Sequence, residues 1–448
     1  MKRGASITTI WLAALLTSGA VHGTPNVPPA PQSRPLLISG ATLHTVSGAV
    51  LERGQLLLEQ GRISAVAAEG EALQLPAGTE RLALPGKHVY PGFIAANSAL
   101  GLVEVAAVRA TVDTAEAGSL NPNARALVAV NADSELIPVT RANGVLATQT
   151  VPRSGPAGLI SGTSALLQLD GWNWEDMALR PAVGLHVRPP SLRANAQLLP
   201  MLDEARLADY KRLARQRLQS LEESFEQAAA YLKARSAEPG LAPDTRWEAM
   251  LPALRGELPV FVHADEAAQI RWALGLAQRH HLKLVIVGGY DAPLLADALK
   301  AADAAVVIAG VHRLPLRRDD AADAPLRLAA RLHAAGLRYC IARGGAEGDA
   351  ANERRLPFEA ATAVAHGLPR AEALKAITLY PAQILGAEAL LGSLQPGRLA
   401  NLFVADGDPL EAGTRIERIF IAGRELALED RQTRLRDKYQ QRYPATAR

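Results

Sequence analysis

A single cysteine, Cys340, occurs in 448 residues, so no internal disulfide can form even in an oxidising compartment. Core packing alone must hold the fold. Charge of one sign is also lacking: the formal net charge is only +3. Without Lys2 and Arg3, 46 of the 48 basic residues remain against 45 acidic ones. That balance gives no reason to expect nucleic acid or an anionic membrane as a partner. The basic stretch Arg206 to Arg217 lies in a helical pattern with Glu222, Glu223 and Glu226 beyond it, and reads as a solvated helix face. No G-x-S-x-G elbow is present for a nucleophilic serine. Aromatic residues amount to 4%, which makes Trp172 and Trp174 conspicuous as candidates for a pocket mouth or a core cap.

At the amino terminus Lys2 and Arg3 precede the apolar run Ile10 to Leu16, and small residues follow at Ser18, Gly19, Ala20 and Gly23. This is the layout of a cleavable secretory signal over 1–23. The run is shorter than the span of about 20 residues that crosses a bilayer, and no cysteine beside it suggests lipidation. An exported protein, periplasmic after cleavage, is expected. A proline-rich linker over 24–34 follows.

From 35 to 90, short apolar runs separated by glycine and turn residues predict strands and hairpins. Similar runs return over 393–426, ahead of a charged tail over 427–448. Between them, strand and helix patterns alternate. Ala214, Leu218, Leu221, Phe225, Ala228 and Leu232 recur at three- and four-residue spacing and predict an amphipathic helix over 204–236. Strands are predicted at 259–263, 282–287, 305–309 and 337–342, with helices between them. The fold class is α/β: a (β/α)8 TIM-type barrel over 91–392, with a small β-sandwich domain built from the two flanking segments.

Val89-Tyr90-Pro91-Gly92-Phe93-Ile94-Ala95-Ala96-Asn97-Ser98-Ala99 resembles the P-G-[LF]-I-D-A-H-x-H segment of the amidohydrolase superfamily. Gly367-Leu368-Pro369-Arg370-Ala371-Glu372-Ala373-Leu374 through Pro381-Ala382 resembles that family's G-L-x-x-x-E-A-L helix. Leu391-Gly392-Ser393-Leu394-Gln395-Pro396-Gly397 is similar to its G-S-L-x-x-G strand entry. The stretch Ile160 to Trp172 is similar to one in the exported, imidazolonepropionase-like branch.

The resemblance implies a metal-dependent hydrolase of carbon–nitrogen bonds, with ligands at the ends of four barrel strands. Here Asn97 and Ala99 stand at the two histidine positions after the first strand, and Ala95 at the aspartate position. Neither an amide nor a methyl group replaces imidazole as a ligand. His263 matches the histidine after the fifth strand, Gly288 stands at the sixth-strand position, and Arg343 or Gly344 takes the eighth-strand aspartate position. A guanidinium about 5 Å from a divalent ion would cost roughly 6 kcal/mol at an effective dielectric near 20. The set opposes a metal. Asn97, His263, Gly288 and Arg343 could instead line a pocket for an anion or carboxylate.

His263 equally suits a hydrogen-bonded core histidine. His280-His281 fits a helix carboxyl end better than a metal site. Asp319-Asp320 follows Arg317-Arg318 and reads as an ion-paired loop, while Cys340 reads as a small buried hydrophobe.

Two functions from different classes are expected. The first is a non-catalytic pseudoenzyme that binds a small, anionic molecule or serves as a partner subunit, as a homo-oligomer or beside an active relative. It needs no cofactor. The second is a C–N hydrolase acting on amides, cyclic amides or peptides through a rearranged site, with His263, Asp265, Asp319 and Asp349 as candidates and zinc or another divalent metal required.

Overall fold

The computed structural model describes residues 27–155, 158–193 and 203–443. The expected signal over 1–23 and the first residues of the linker lie outside them. Five strands precede the barrel: β1 (Leu36–His44), β2 (Val50–Glu59), β3 (Arg62–Ala67), β4 (Glu80–Ala83) and β5 (His88–Pro91). The barrel strands are β6 (Phe93–Ser98), β7 (Val145–Thr150), β8 (Ile160–Gln168), β9 (Ala178–Val187), β10 (Val260–Ala264), β11 (Leu284–Gly288), β12 (Ala305–Ala309) and β13 (Arg338–Ala342). Three more follow: β14 (Leu402–Ala405), β15 (Ile416–Ile421) and β16 (Arg424–Leu426).

The flanking segments do pair with each other, but in one continuous sheet of order β16-β15-β14-β5-β1-β2-β3, with β4 beside β1. Its two ends are tied through the chain at 397–400. Gly397 N–H donates to Ile63 O at 2.8 Å, Ala400 N–H to Gly61 O at 2.9 Å, and Gly423 N–H to Ala400 O at 3.2 Å. The sheet thereby curls around Ile38, Leu43, Leu56, Leu58, Val404 and Phe420. The linker residues are docked on it: Gln32 donates from Nε2 to Leu58 O at 2.9 Å and accepts from Gly61 N–H at 2.9 Å. The charged tail includes a helix, Arg431–Arg442, capped by the Asp430 carboxylate accepting from Thr433 N–H at 2.7 Å.

The second sheet runs in sequence order from β6 to β13. Eight strands form the expected barrel, with one reversal: β8 is antiparallel to both β7 and β9. Only nine residues separate Thr150 from Ile160, and a parallel crossover needs a dozen or more. Between β13 and β6 the barrel is bridged by the chain at Ala376 and Ile377: Ile94 N–H donates to Ile377 O and Ile341 N–H to Ala376 O, both at 2.9 Å. The interior is apolar and holds Ile94, Ala96, Phe261, Val285, Val287, Val307, Cys340 and Ala342. Cys340 is a buried hydrophobe there, and burial pushes its thiol pKa upward. Ala382 and Leu385 close the lower end.

The predicted helix over 204–236 spans Glu204–Ala237 and buries Leu221, Phe225 and Ala228 against the outer core. A buried ionic cluster fastens the small domain to the barrel. Asp170, just past β8, lies 2.6 Å from Arg424 Nη2 of β16 and 3.6 Å from Arg141 Nη1. Removing one member of a buried ionic cluster leaves its partners uncompensated. Asp170→Ala is therefore expected to cost about 3–5 kcal/mol in urea unfolding, far more than the same change at the exposed Asp297.

Candidate functional site at the barrel mouth

The apolar interior gives way to a polar layer towards the carboxyl ends of the parallel strands, the end where barrel sites form. On β7 and β8, Gln149 Nε2 donates to Ser164 Oγ at 3.0 Å, and Gln149 Oε1 accepts from Asn97 N–H at 3.1 Å. On β9 and β10, the register sets His186 opposite Phe261. The two rings stack with centroids 4.9 Å apart. His186 Nδ1 then meets His263 Nε2 at 3.0 Å, one nitrogen donating and the other accepting. His186 is fully buried, and its Nε2 makes no hydrogen bond. Burial, followed by the charge of Arg188, holds both imidazoles well below the ordinary histidine range, so both are neutral.

Each remaining strand-end position is engaged by the protein itself. Asn97, buried and in the left-handed region at φ +53°, donates from Nδ2 to Gly344 O at 3.3 Å and so joins the first strand end to the last. Ala99 is buried in the main core. Gly288 has φ +104°, and a Cβ there would lie 2.6 Å from Asp265 Oδ1. The space a side chain would need is thus filled by Asp265, which forms a bidentate pair with Arg313 at 3.0 and 2.8 Å.

Arg343 does not serve the anion pocket expected of it. Its Nη2 donates to Asp349 Oδ1 at 2.9 Å and its Nη1 bonds the fully buried Glu359, so two carboxylates already face its charge. Gly344, the other candidate for the aspartate position, packs against Asp349, with a virtual Cβ 2.8 Å from Oδ2.

The candidate acids are not gathered into one site. Asp265 and Asp349 are ion-paired, and Asp319 is exposed. Its neighbour Asp320 accepts from Tyr290 Oη at 2.8 Å and Arg317 N–H at 2.9 Å. His280 ends the helix Ala267–His280 and His281 is its left-handed cap, both on the barrel exterior. Trp172 is 68% exposed, while Trp174 packs on the core. Both lie in the turn between β8 and β9, at the end opposite the mouth.

Three mouth residues carry no signal in the family motifs. Arg153 follows β7, Arg188 follows β9, and Glu353 lies in the 3-10 turn Glu347–Arg355. An arginine placed just past an apolar strand, as in Val151-Pro152-Arg153 and His186-Val187-Arg188, was the available clue. Arg153 Nη2 and Arg188 Nε and Nη2 are shielded from solvent without a hydrogen-bond partner. Glu353 is fully buried, and burial pushes its carboxyl up to about 8 against the opposing effects of Ser98 and Arg343. It is largely protonated at pH 7.

Among the described residues, no three His, Cys, Asp or Glu side chains converge to hold a metal ion. The donor set does not fit a divalent metal: one imidazole is tied to another, and the nearby charges are guanidinium groups.

A model of the amidohydrolase family matches residues 258–427. The amidohydrolase tasK of Hapsidospora irregularis is 24% identical over 420 residues, 83% of this chain. The chain spans 39% of that relative's length. An amidohydrolase from Thermotoga maritima MSB8 superposes with a TM-score of 0.75 at 23% identity, covering 88% of this chain and 99% of its own. A zinc-bound adenosine deaminase from Xanthomonas campestris gives a TM-score of 0.51 at 16% identity, covering 92% and 99% of the two chains. Motif, sequence match and barrel all agree with the amidohydrolase superfamily, whose family model covers residues 258–427 of this chain.

Proposed function

We propose that this chain has lost metal-dependent hydrolysis and acts as an exported binding or partner subunit for a small anionic molecule. One observation carries the reading: the strand-end positions that the family gives to metal ligands are occupied by Asn97, Ala99, Gly288 and Arg343, and the side chains around them are bonded to one another. A metal would have to displace those bonds and stand near uncompensated guanidinium charge. Export rests on Lys2, Arg3 and the run Ile10 to Leu16. Mass spectrometry of the secreted protein should find an amino terminus near Thr24. Association with an active relative belongs to the same reading, and co-purification from the exported compartment tests it.

The alternative, hydrolysis of carbon–nitrogen bonds by a rearranged site, has Glu353 in its favour, since a carboxyl protonated at neutral pH can act as a general acid. Turnover of amides, cyclic amides or dipeptides that is lost in Glu353→Gln would establish it. The proposed function predicts no turnover above background.

Elemental analysis of the purified protein should find zinc, manganese and iron far below one equivalent per chain, with a melting temperature unmoved by chelation. About one equivalent, with an amidase activity lost on chelation, would overturn the reading.

The neutral histidine pair predicts a pH dependence. Because the folded pKa values of His186 and His263 lie below the unfolded value of about 6.5, the unfolded chain binds more protons as the pH falls through that value. Stability present above pH 6.5 is lost below it. The urea midpoint is expected to be lower at pH 5 than at pH 7. Replacing both residues with glutamine should remove their part of the slope, leaving that of His44 and His280, whose pKa values are also lowered, against the opposite contribution of Glu353, whose raised pKa adds stability as the pH falls.

A further inference from the structure

The sharpest anomaly at the mouth is the pairing of its arginines. Arg313 has Asp265, Arg317 has Asp291, and Arg343 has Asp349 and Glu359. Arg188 has none. It follows β9 at the mouth end, where Val187 pairs with Val262 of β10, and its backbone N–H donates to Leu159 O at 2.8 Å. Its Nε and Nη2 are both shielded from solvent and without a hydrogen bond. These two nitrogens share one edge of the guanidinium, and their parallel N–H groups match the two oxygens of a carboxylate.

Its electrostatic setting agrees. Burial, reinforced by repulsion from Arg153, pushes its pKa down to about 9, and no carboxylate opposes that shift. The segments 156–157 and 194–202 contain no Asp or Glu that could supply one. Arg153, in contrast, lies in the field of Asp349, Glu347 and Glu353. The surplus near Arg188 is therefore about one positive charge, which suits a monoanion better than a dianion facing those acids. Beside it, His263 is neutral and partly exposed, able to donate or accept at the rest of a ligand.

We infer that the Nε/Nη2 edge of Arg188 is a recognition fork for the carboxylate of a small monoanionic ligand, with Arg153 adding charge and His263 contacting the ligand body. This specifies the ligand of the binding reading above and rests on it.

The test is calorimetric titration of the purified protein with acetate, benzoate and N-acetylproline, beside acetamide, benzamide and inorganic phosphate. At least one acid should saturate at one per chain, with its amide failing to bind. Arg188→Lys keeps the charge and loses the fork, so affinity should fall by about tenfold or more. Arg188→Met should abolish binding, yet melt no lower than the parent without ligand, because it removes an uncompensated buried charge. That unchanged melting separates a lost site from a lost fold.

Phosphate binding tighter than every acid, equal binding of acid and amide, no saturation by any acid, or undiminished binding in Arg188→Met would each overturn the fork. The two readings fail separately. One equivalent of metal in protein that still binds acids through Arg188 would sink the metal-free reading alone, whereas metal-free protein that binds no acid would sink the fork alone.

Discussion

The buried Glu359 carboxylate is the point on which the mouth of this barrel is hung. It accepts from Val311 N–H at 2.6 Å and His312 N–H at 2.9 Å, just past the seventh barrel strand, and bonds Arg343 just past the eighth. Arg343 in turn holds Asp349, whose Oδ2 accepts from Ala346 N–H at 2.9 Å. A carboxylate without solvent is tolerated only when such donors surround it. The consequence for chemistry is direct: the strand end that offers a catalytic carboxylate in the family is spent here on building the loop.

The same economy runs around the rim, where Asn97 joins the first strand to the last and Asp265 holds Arg313 across Gly288. Among the described residues, the charged groups left there with unbonded, shielded nitrogens include Arg153 and Arg188, both cationic. A family site gathers carboxylate and imidazole around a cation; this one leaves guanidinium groups beside neutral imidazoles, with the sign of the attraction inverted.

Much of the fold was legible because barrel strands are buried on both faces and read as apolar runs between helical patterns, as at Val260 to Ala264 and Ala305 to Ala309. That Asn97, Ala99 and Gly288 offer no imidazole at those strand ends was legible from residue identity alone. The reversed β8 was not, since a run of alternating residues carries no sign of its direction. Nor was the His186–His263 bond, which joins positions 77 residues apart. Arg343 misled for a physical reason: its position at a strand end suggested a ligand contact, while the carboxylates that absorb its charge lie 6 and 16 residues away in a turn and a helix. Arg153 and Arg188 follow strands that the helix–strand alternation does not flag, and only their shielded, unbonded guanidinium nitrogens in three dimensions separate them from ordinary surface arginines.

Gly288 shows how firmly the change is locked. A histidine introduced there would need a backbone at φ +104°, which side chains rarely adopt, and would drive its Cβ into the Asp265 carboxylate. Moving Asp265 aside would then strand Arg313. A ligand at that strand end would therefore require Asp265 and Arg313 to change together with Gly288.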